Sequence, residues 1–365
     1  MIYTFVMSPK ILFVKLGALG DLSFALPSAE LFKKVYPQGH FTWAVGQSVQ
    51  SYLQGRPEID RLVIVDDKNL FSSNPLRRVQ ACRDFIARLE PAYDLLVIAH
   101  RNLAYSLLLK SFVKGPIFQL AREEHPFLEK FGIHSIIATP LETHESVGIG
   151  NTLLAAMRSL KPTSPLPLWN GKIQRAQGFS AGKSPIVSNL PSDYLVLQMG
   201  GAGNLKTEFR LKSWAHWKDL VKLLLEKTEQ NLVFIGAPNE KTEIEEILSQ
   251  FPTNSRIHNL TGKTNFHELE HILSQAKGVV GIDSGPLHIA DALRVPTLGI
   301  FGPSSTKSWG FLGERSQALK HSVPCSPCYK DDGIFPECAY QHRCMTGLKP
   351  EVVLEQIVKN FTKNT

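Results

Sequence analysis

What most limits the folds open to this chain is an alternation of short apolar runs with helix-length amphipathic segments. ILFVKL (11–16), FTWAV (41–45), RLVIV (61–65) and DLLVIA (94–99) are strand-sized and rich in branched side chains. LSFALPSAELFKKVYP (22–37) and LRRVQACRDFIARLE (76–90) carry helical spacing between them. Strands that alternate with helices imply parallel βαβ units. The pattern stops from Lys161 to Asp193, where five prolines and three glycines mark a connector. It restarts with YLVLQMG and runs through helices at 213–227, 239–250, 266–276 and 286–294, separated by NLVFIG, IHNLTG, GVVGID and TLGIFG.

Two α/β domains follow, as the length of 365 residues also favours. The boundaries expected are 1–165 for an N-terminal Rossmann-like domain, 166–193 for a linker and 194–345 for a second Rossmann-like domain. The closing segment 346–365 holds a helix, PEVVLEQIVKNF, with apolar residues at 354, 357, 358 and 361. It is expected to return to the first domain, and the active site is expected in a cleft between the domains.

Composition removes several classes. No apolar run reaches the 18 or so residues of a membrane span, and the opening MIYTFVMSPKILFVKL lacks a signal-peptide cleavage site. The cytoplasm is therefore the expected compartment. The net charge is +7, and residues 1–140 hold 16 basic against 12 acidic side chains. That excess suits an anionic partner such as an acidic glycolipid or a phospholipid surface. Nucleic acid is not expected, because no basic stripe interleaves with aromatics.

Four motifs carry chemistry. In Asp283-Ser284-Gly285-Pro286-Leu287-His288, a strand passes into a helix whose first N–H groups and dipole favour an anion. Gly285 permits close approach of a phosphate, while Ser284 and His288 offer donors. Asp283 can accept from a sugar hydroxyl. In Gly17-Ala18-Leu19-Gly20-Asp21, two glycines shape a close-approach loop before a helix expected from about Leu22. Asp21 there is either a general base or a helix N-cap. The turn Gly200-Gly201-Ala202-Gly203 can place backbone N–H groups on phosphate, followed by Lys206, Arg210 and Lys212 as cations for a departing diphosphate. Finally, Cys325, Cys328, Cys338 and Cys344 cluster as C-x2-C-x9-C-x5-C. In a cytosolic chain this is more zinc-like than disulfide-like. The spacing departs from paired C-x2-C knuckles, so reduced thiols are expected and zinc is the alternative.

In this order the motifs resemble glycosyltransferase family 9, the ADP-heptose:lipopolysaccharide heptosyltransferases. The resemblance rests on ILFVKLGALGDLSFALPSAELFKKVYP, LVFIGAPNEK, GIDSGPLHIADALRVPTLGIFGP and the CSPCYK…CM…PEVV tail. It implies a GT-B architecture, two Rossmann-like domains facing across a cleft, and an inverting, metal-independent transfer of heptose without a cofactor. Asp21 stands where the family's catalytic carboxylate does, and Lys212 where a lysine contacts the donor diphosphate. Asp283, Ser284, Gly285 and His288 match the donor motif. The implied partners are a nucleotide-sugar and an anionic glycolipid acceptor, with peripheral contact to the inner membrane. Two positions depart from the family pattern: Ser284 replaces a frequent threonine, and Phe24 replaces a frequent polar residue. A nucleotide-sugar epimerase of related architecture and a non-catalytic nucleotide-binding assembly protein are the rival expectations.

Overall fold

The computed structural model describes residues 8–110, 115–139, 142–162, 165–171, 184–200, 212–329 and 337–361. The chain divides into two units, Met1–Gly171 and Lys172–Thr365. Among the described residues no helix is long and apolar enough to cross a membrane.

The first unit is built on β1 (Lys10–Val14), β2 (His40–Gly46), β3 (Arg61–Val65), β4 (Leu95–Ile98), β5 (Ile117–Ala121) and β6 (Ile133–Ile137). All pairs are parallel, in the order β3-β2-β1-β4-β5-β6. A parallel sheet must be covered on both faces, and β1 shows how alternate side chains do this. Leu12 and Val14 join Val63, Leu96, Ile98 and Phe85 on one face. On the other, Phe13 meets Trp43 and Phe41 with ring centroids 4.9 and 5.5 Å away, and Phe32 of the Leu19–Val35 helix closes on Phe41 at 5.3 Å.

The second unit repeats the plan with β7 (Tyr194–Gln198), β8 (Asn231–Ile235), β9 (Ile257–Asn259), β10 (Gly278–Ile282), β11 (Thr297–Ile300) and β12 (Ser316–Leu319). Its order, β12-β11-β10-β7-β8-β9, is the same doubly wound topology. Gly281 lies opposite Gln198 in the ladder, and a Cβ there would collide with that residue and with Leu287. The glycine lets the Gly285–Ala292 helix lie close over the sheet.

The C-terminal helix differs from expectation. Val353, Ile357 and Phe361 of Pro350–Phe361 are buried in the core of the second unit, with Trp217, Leu220 and Leu224 of the Trp217–Lys227 helix. Trp214 Nε1 donates to the Leu348 carbonyl at 2.9 Å and ties the approach to that helix. Its apolar stripe is therefore buried in the core of the domain it follows in sequence. The buried stripe is also rotated, and Val358 is exposed.

Candidate functional site

In a doubly wound sheet, ligands collect outside the carboxyl ends of the strands, where the strand order reverses. That point lies between β1 and β4 in the first unit and between β7 and β10 in the second. Among the described residues, Asp21 falls at the first of these points and Asp283 at the second.

In the first unit, Lys15 follows β1 and Arg101 follows β4. The helix expected from Leu22 begins at Leu19 instead, which places Asp21 in its first turn. The N-cap is Ala18, so Asp21 is not the capping residue, which was one of its two expected roles. Its Oδ2 lies 3.0 Å from Lys15 Nζ, and the carboxylate side chain is 34% exposed. Lys15 Nζ also lies 3.3 Å from Glu145 Oε1, and Glu145 Oε2 lies 2.8 Å from Arg101 Nη2. Burial works to raise the Glu145 pKa, but Lys15 and Arg101 outweigh it and hold the carboxyl below its ordinary value.

His100 is half-buried beside this network and accepts the Leu16 N–H through Nε2 at 2.9 Å. Burial, with Lys15 and Arg101 adding repulsion, pushes its pKa well down, so the ring is neutral. Phe24 packs edge-on to the His144 ring, with centroids 5.1 Å apart. Gly17 and Gly20 belong to the turn between β1 and the helix and to the helix's first turn.

In the second unit, Asp283 follows β10 and is buried. Lys212 Nζ lies 2.6 Å from its Oδ2, and His288 Nε2 lies 3.1 Å from its Oδ1. Burial would raise the Asp283 pKa. The Lys212 charge and the His288 hydrogen bond outweigh that and hold the carboxyl well below the carboxylate range. Ser284 is the N-cap of the Gly285–Ala292 helix, yet its side chain makes no capping bond. Its buried Oγ, like those of Ser304 and Ser308 after β11, has no hydrogen-bond partner among the described residues. A buried hydroxyl without a partner carries a desolvation cost that a ligand can relieve. The structure thus brings Asp283, Lys212, His288 and Ser284 to one strand end, with Gly285 opening the helix. Gly201, Lys206 and Arg210 lie outside the described residues.

Gly200 lies two residues beyond β7, the strand beside β10, and a Cβ on it would run into the carboxylate of Glu240. Glu240 is buried and accepts the Ala237 N–H at 2.7 Å. Burial, with Glu243 adding repulsion, pushes its pKa up. The LVFIGAPNEK stretch contains this acid, but nothing local marks it as buried. Lys15, Arg101 and Glu145 were missed for the same reason. The only local sign was a lysine at the end of an apolar strand, and the other two are distant in sequence.

The four clustered cysteines line one cavity of about 230 Å3 together with His342. Burial and mutual repulsion push the Cys328 thiol up and the Cys344 thiol up to about 11. Among the described residues, no three His, Cys, Asp or Glu side chains are grouped so as to hold a metal ion.

Comparison with known proteins places this geometry. The model of glycosyltransferase family 9 (heptosyltransferase) matches residues 201–338. Lipopolysaccharide heptosyltransferase 1 of Pseudomonas aeruginosa is 25% identical over 95% of this chain and 97% of its own length. Lipooligosaccharide heptosyltransferase 2 of Campylobacter jejuni is 31% identical over 42% of this chain and 48% of its own length. Among solved structures, E. coli heptosyltransferase WaaC with ADP superposes with a TM-score of 0.69 at 20% identity, covering 96% of this chain and 99% of that one. That likeness shows the fold, GT-B type with two Rossmann-like domains. The family match over residues 201–338 and the whole-length relative agree with it: the chain is a glycosyltransferase, similar to glycosyltransferase family 9.

Proposed function

We propose that this enzyme transfers a heptose from ADP-heptose to the inner core of lipopolysaccharide, with inversion at the anomeric carbon and without a metal ion. The observation that carries the proposal is the Asp283–Lys212–His288 constellation at the start of the Gly285–Ala292 helix. Such an edge offers a cation, a helix dipole and an unpartnered Ser284 hydroxyl to a diphosphate. These groups can stabilise the negative charge that grows on the departing diphosphate. That is the task a divalent ion performs in other transferases. Asp21, one-third exposed, takes the proton of the acceptor hydroxyl. The oxygen attacks the anomeric carbon as the bond to the diphosphate breaks on the opposite face. The relatives' names, lipopolysaccharide and lipooligosaccharide heptosyltransferases, support the sugar and the acceptor.

The acceptor is anchored in a bilayer, and the helix Pro75–Ala87 supports peripheral contact with an anionic surface on the cytoplasmic side. Leu76 is 79% exposed there, and Val79, Arg77, Arg78 and Arg83 are exposed beside it. High salt should therefore release the protein from anionic vesicles.

The donor assignment is tested by thermal unfolding with ADP, UDP, GDP and CDP. A ligand at about 100 times its Kd stabilises the fold by about 2.7 kcal/mol. ADP alone should raise the midpoint, and Asp283→Ala should abolish the rise. A larger shift with UDP would instead favour the epimerase.

A further inference from the structure

We propose that Lys15 is a positioning residue for Asp21, and that Glu145, itself bound by Arg101, holds Lys15 in place. This rests on the reading of Asp21 as the general base.

The side chain of Lys15 is 4% exposed, and that of Glu145 is 5% exposed. Burying one charge is costly unless it is paired, and breaking such a pair is strongly destabilising. Lys15 is paired twice, with Asp21 at 3.0 Å and Glu145 at 3.3 Å. The two carboxylates differ in situation. Glu145 is buried and further bound by Arg101 at 2.8 Å, while Asp21 opens to solvent. Among the described residues these ion pairs join two cations and two anions, and Asp21 is the most exposed of the four.

The chain's topology explains how the four meet. Lys15 and Arg101 leave adjacent parallel strands at the point of strand reversal. Glu145 begins the Glu145–Ser159 helix, which packs on β4, β5 and the Leu19–Val35 helix that carries Asp21. Next to them the neutral His100 takes the Leu16 N–H and adds no third positive charge.

The arrangement suits proton transfer. An aspartate in the first turn of a helix, one-third exposed, has several rotamers open to it. The ion pair to a buried, immobile ammonium selects one of them. When Asp21 accepts the proton from the acceptor hydroxyl, its charge is lost and Lys15 loses one counter-ion. Glu145 keeps the lysine paired at that moment, so the base can change charge without leaving a lone buried cation.

The test is a double-mutant cycle on the full chain, with heptose transfer to a defined acceptor measured by initial rates. Lys15→Met should lower kcat about 100-fold, the scale of loss when a reacting group is misplaced by about 1 Å, with the KM for the nucleotide-sugar unchanged. In an Asp21→Ala background the same change should alter the residual kcat less than twofold, because Lys15 acts through Asp21. Lys15→Arg should recover most of the rate. Because Lys15→Met removes one of the two cations bound to Glu145, the paired Lys15→Met/Glu145→Gln variant is measured as well. It should keep a wild-type unfolding midpoint and still show the kcat loss. A Lys15→Met variant with wild-type kcat, or one that loses as much in the Asp21→Ala background, overturns the positioning role while leaving the base assignment standing. Wild-type kcat in Asp21→Ala overturns both.

Discussion

The two strand-reversal points have the same topology and opposite electrostatic designs. Between β1 and β4 the buried members of the network are Lys15 and Glu145, and the Asp21 carboxylate stays partly in water. Between β7 and β10 the carboxylate itself, Asp283, is buried, and cationic Lys212 is drawn to the strand edge by it. The first arrangement presents a fixed anion to a proton. The second presents a cation, a helix N-terminus and spare hydroxyls to an anion. One sheet plan supports both because the strand ends fix only the positions, and the residues placed there decide the sign of the charge.

The sharpest break in that comparison is Asp21→Ala. If the first site does acid–base work only, kcat falls by about 10²- to 10⁴-fold, while the ADP-induced rise in unfolding midpoint stays as in wild type. Loss of the ADP effect in this variant would show that the division of labour is wrong.

Next comes Asp283→Ala. It leaves Lys212 and His288 without their shared carboxylate, and it should cost about 3–5 kcal/mol of stability, read by denaturant unfolding. Asp283→Asn, which keeps the shape, separates the loss of charge from the loss of packing.

The same pair sets a smaller, pH-dependent effect. The carboxyl of Asp283 is depressed in the fold relative to its ordinary value of 3.8. Its stabilisation is therefore full above that pH and is lost as pH falls through it toward the lower folded value. Glu145, depressed from 4.5, acts in the same direction. Unfolding midpoints recorded from pH 7 down to pH 3 should fall less steeply in Asp283→Asn than in wild type. Equal slopes would remove Asp283 from the account of acid sensitivity.

The smallest change is expected for Ser284→Ala. The hydroxyl has no partner among the described residues, so stability should stay within about 0.5 kcal/mol. A hydrogen bond to a charged group contributes about 1.5–3 kcal/mol, so ADP affinity should drop by roughly 10-fold or more, measured by calorimetry. Unchanged affinity would assign Ser284 to the helix start alone.

Much of the fold was legible in the sequence because parallel strands buried on both faces must be continuous apolar runs. Strands β1 to β4, β7, β8, β10 and β11 sit within a residue or two of the runs that predicted them. The sequence reading passed over β5 (IFQLA), β6 (IHSII) and β12 (SQAL). The first two mix polar residues into short runs, and the last is a four-residue edge strand with little burial. At the sites, Asp21 and Asp283 were legible because glycine, a carboxylate and a helix start stand together in a few residues.

The sequence alone thus determined two α/β domains, the two strand-end acids and the likeness to the family, since each depends on local periodicity or contiguous motifs. Only the tertiary structure decided what stands around those acids. Lys15 and Glu145 are 130 positions apart, and Lys212 and Asp283 are 71 apart. Such pairs are joined by strand order, which local sequence does not encode. The partner of the last helix was decided in the same way. Its apolar stripe declared that one face would be buried, and the packing against the Trp217–Lys227 helix chose which face and where.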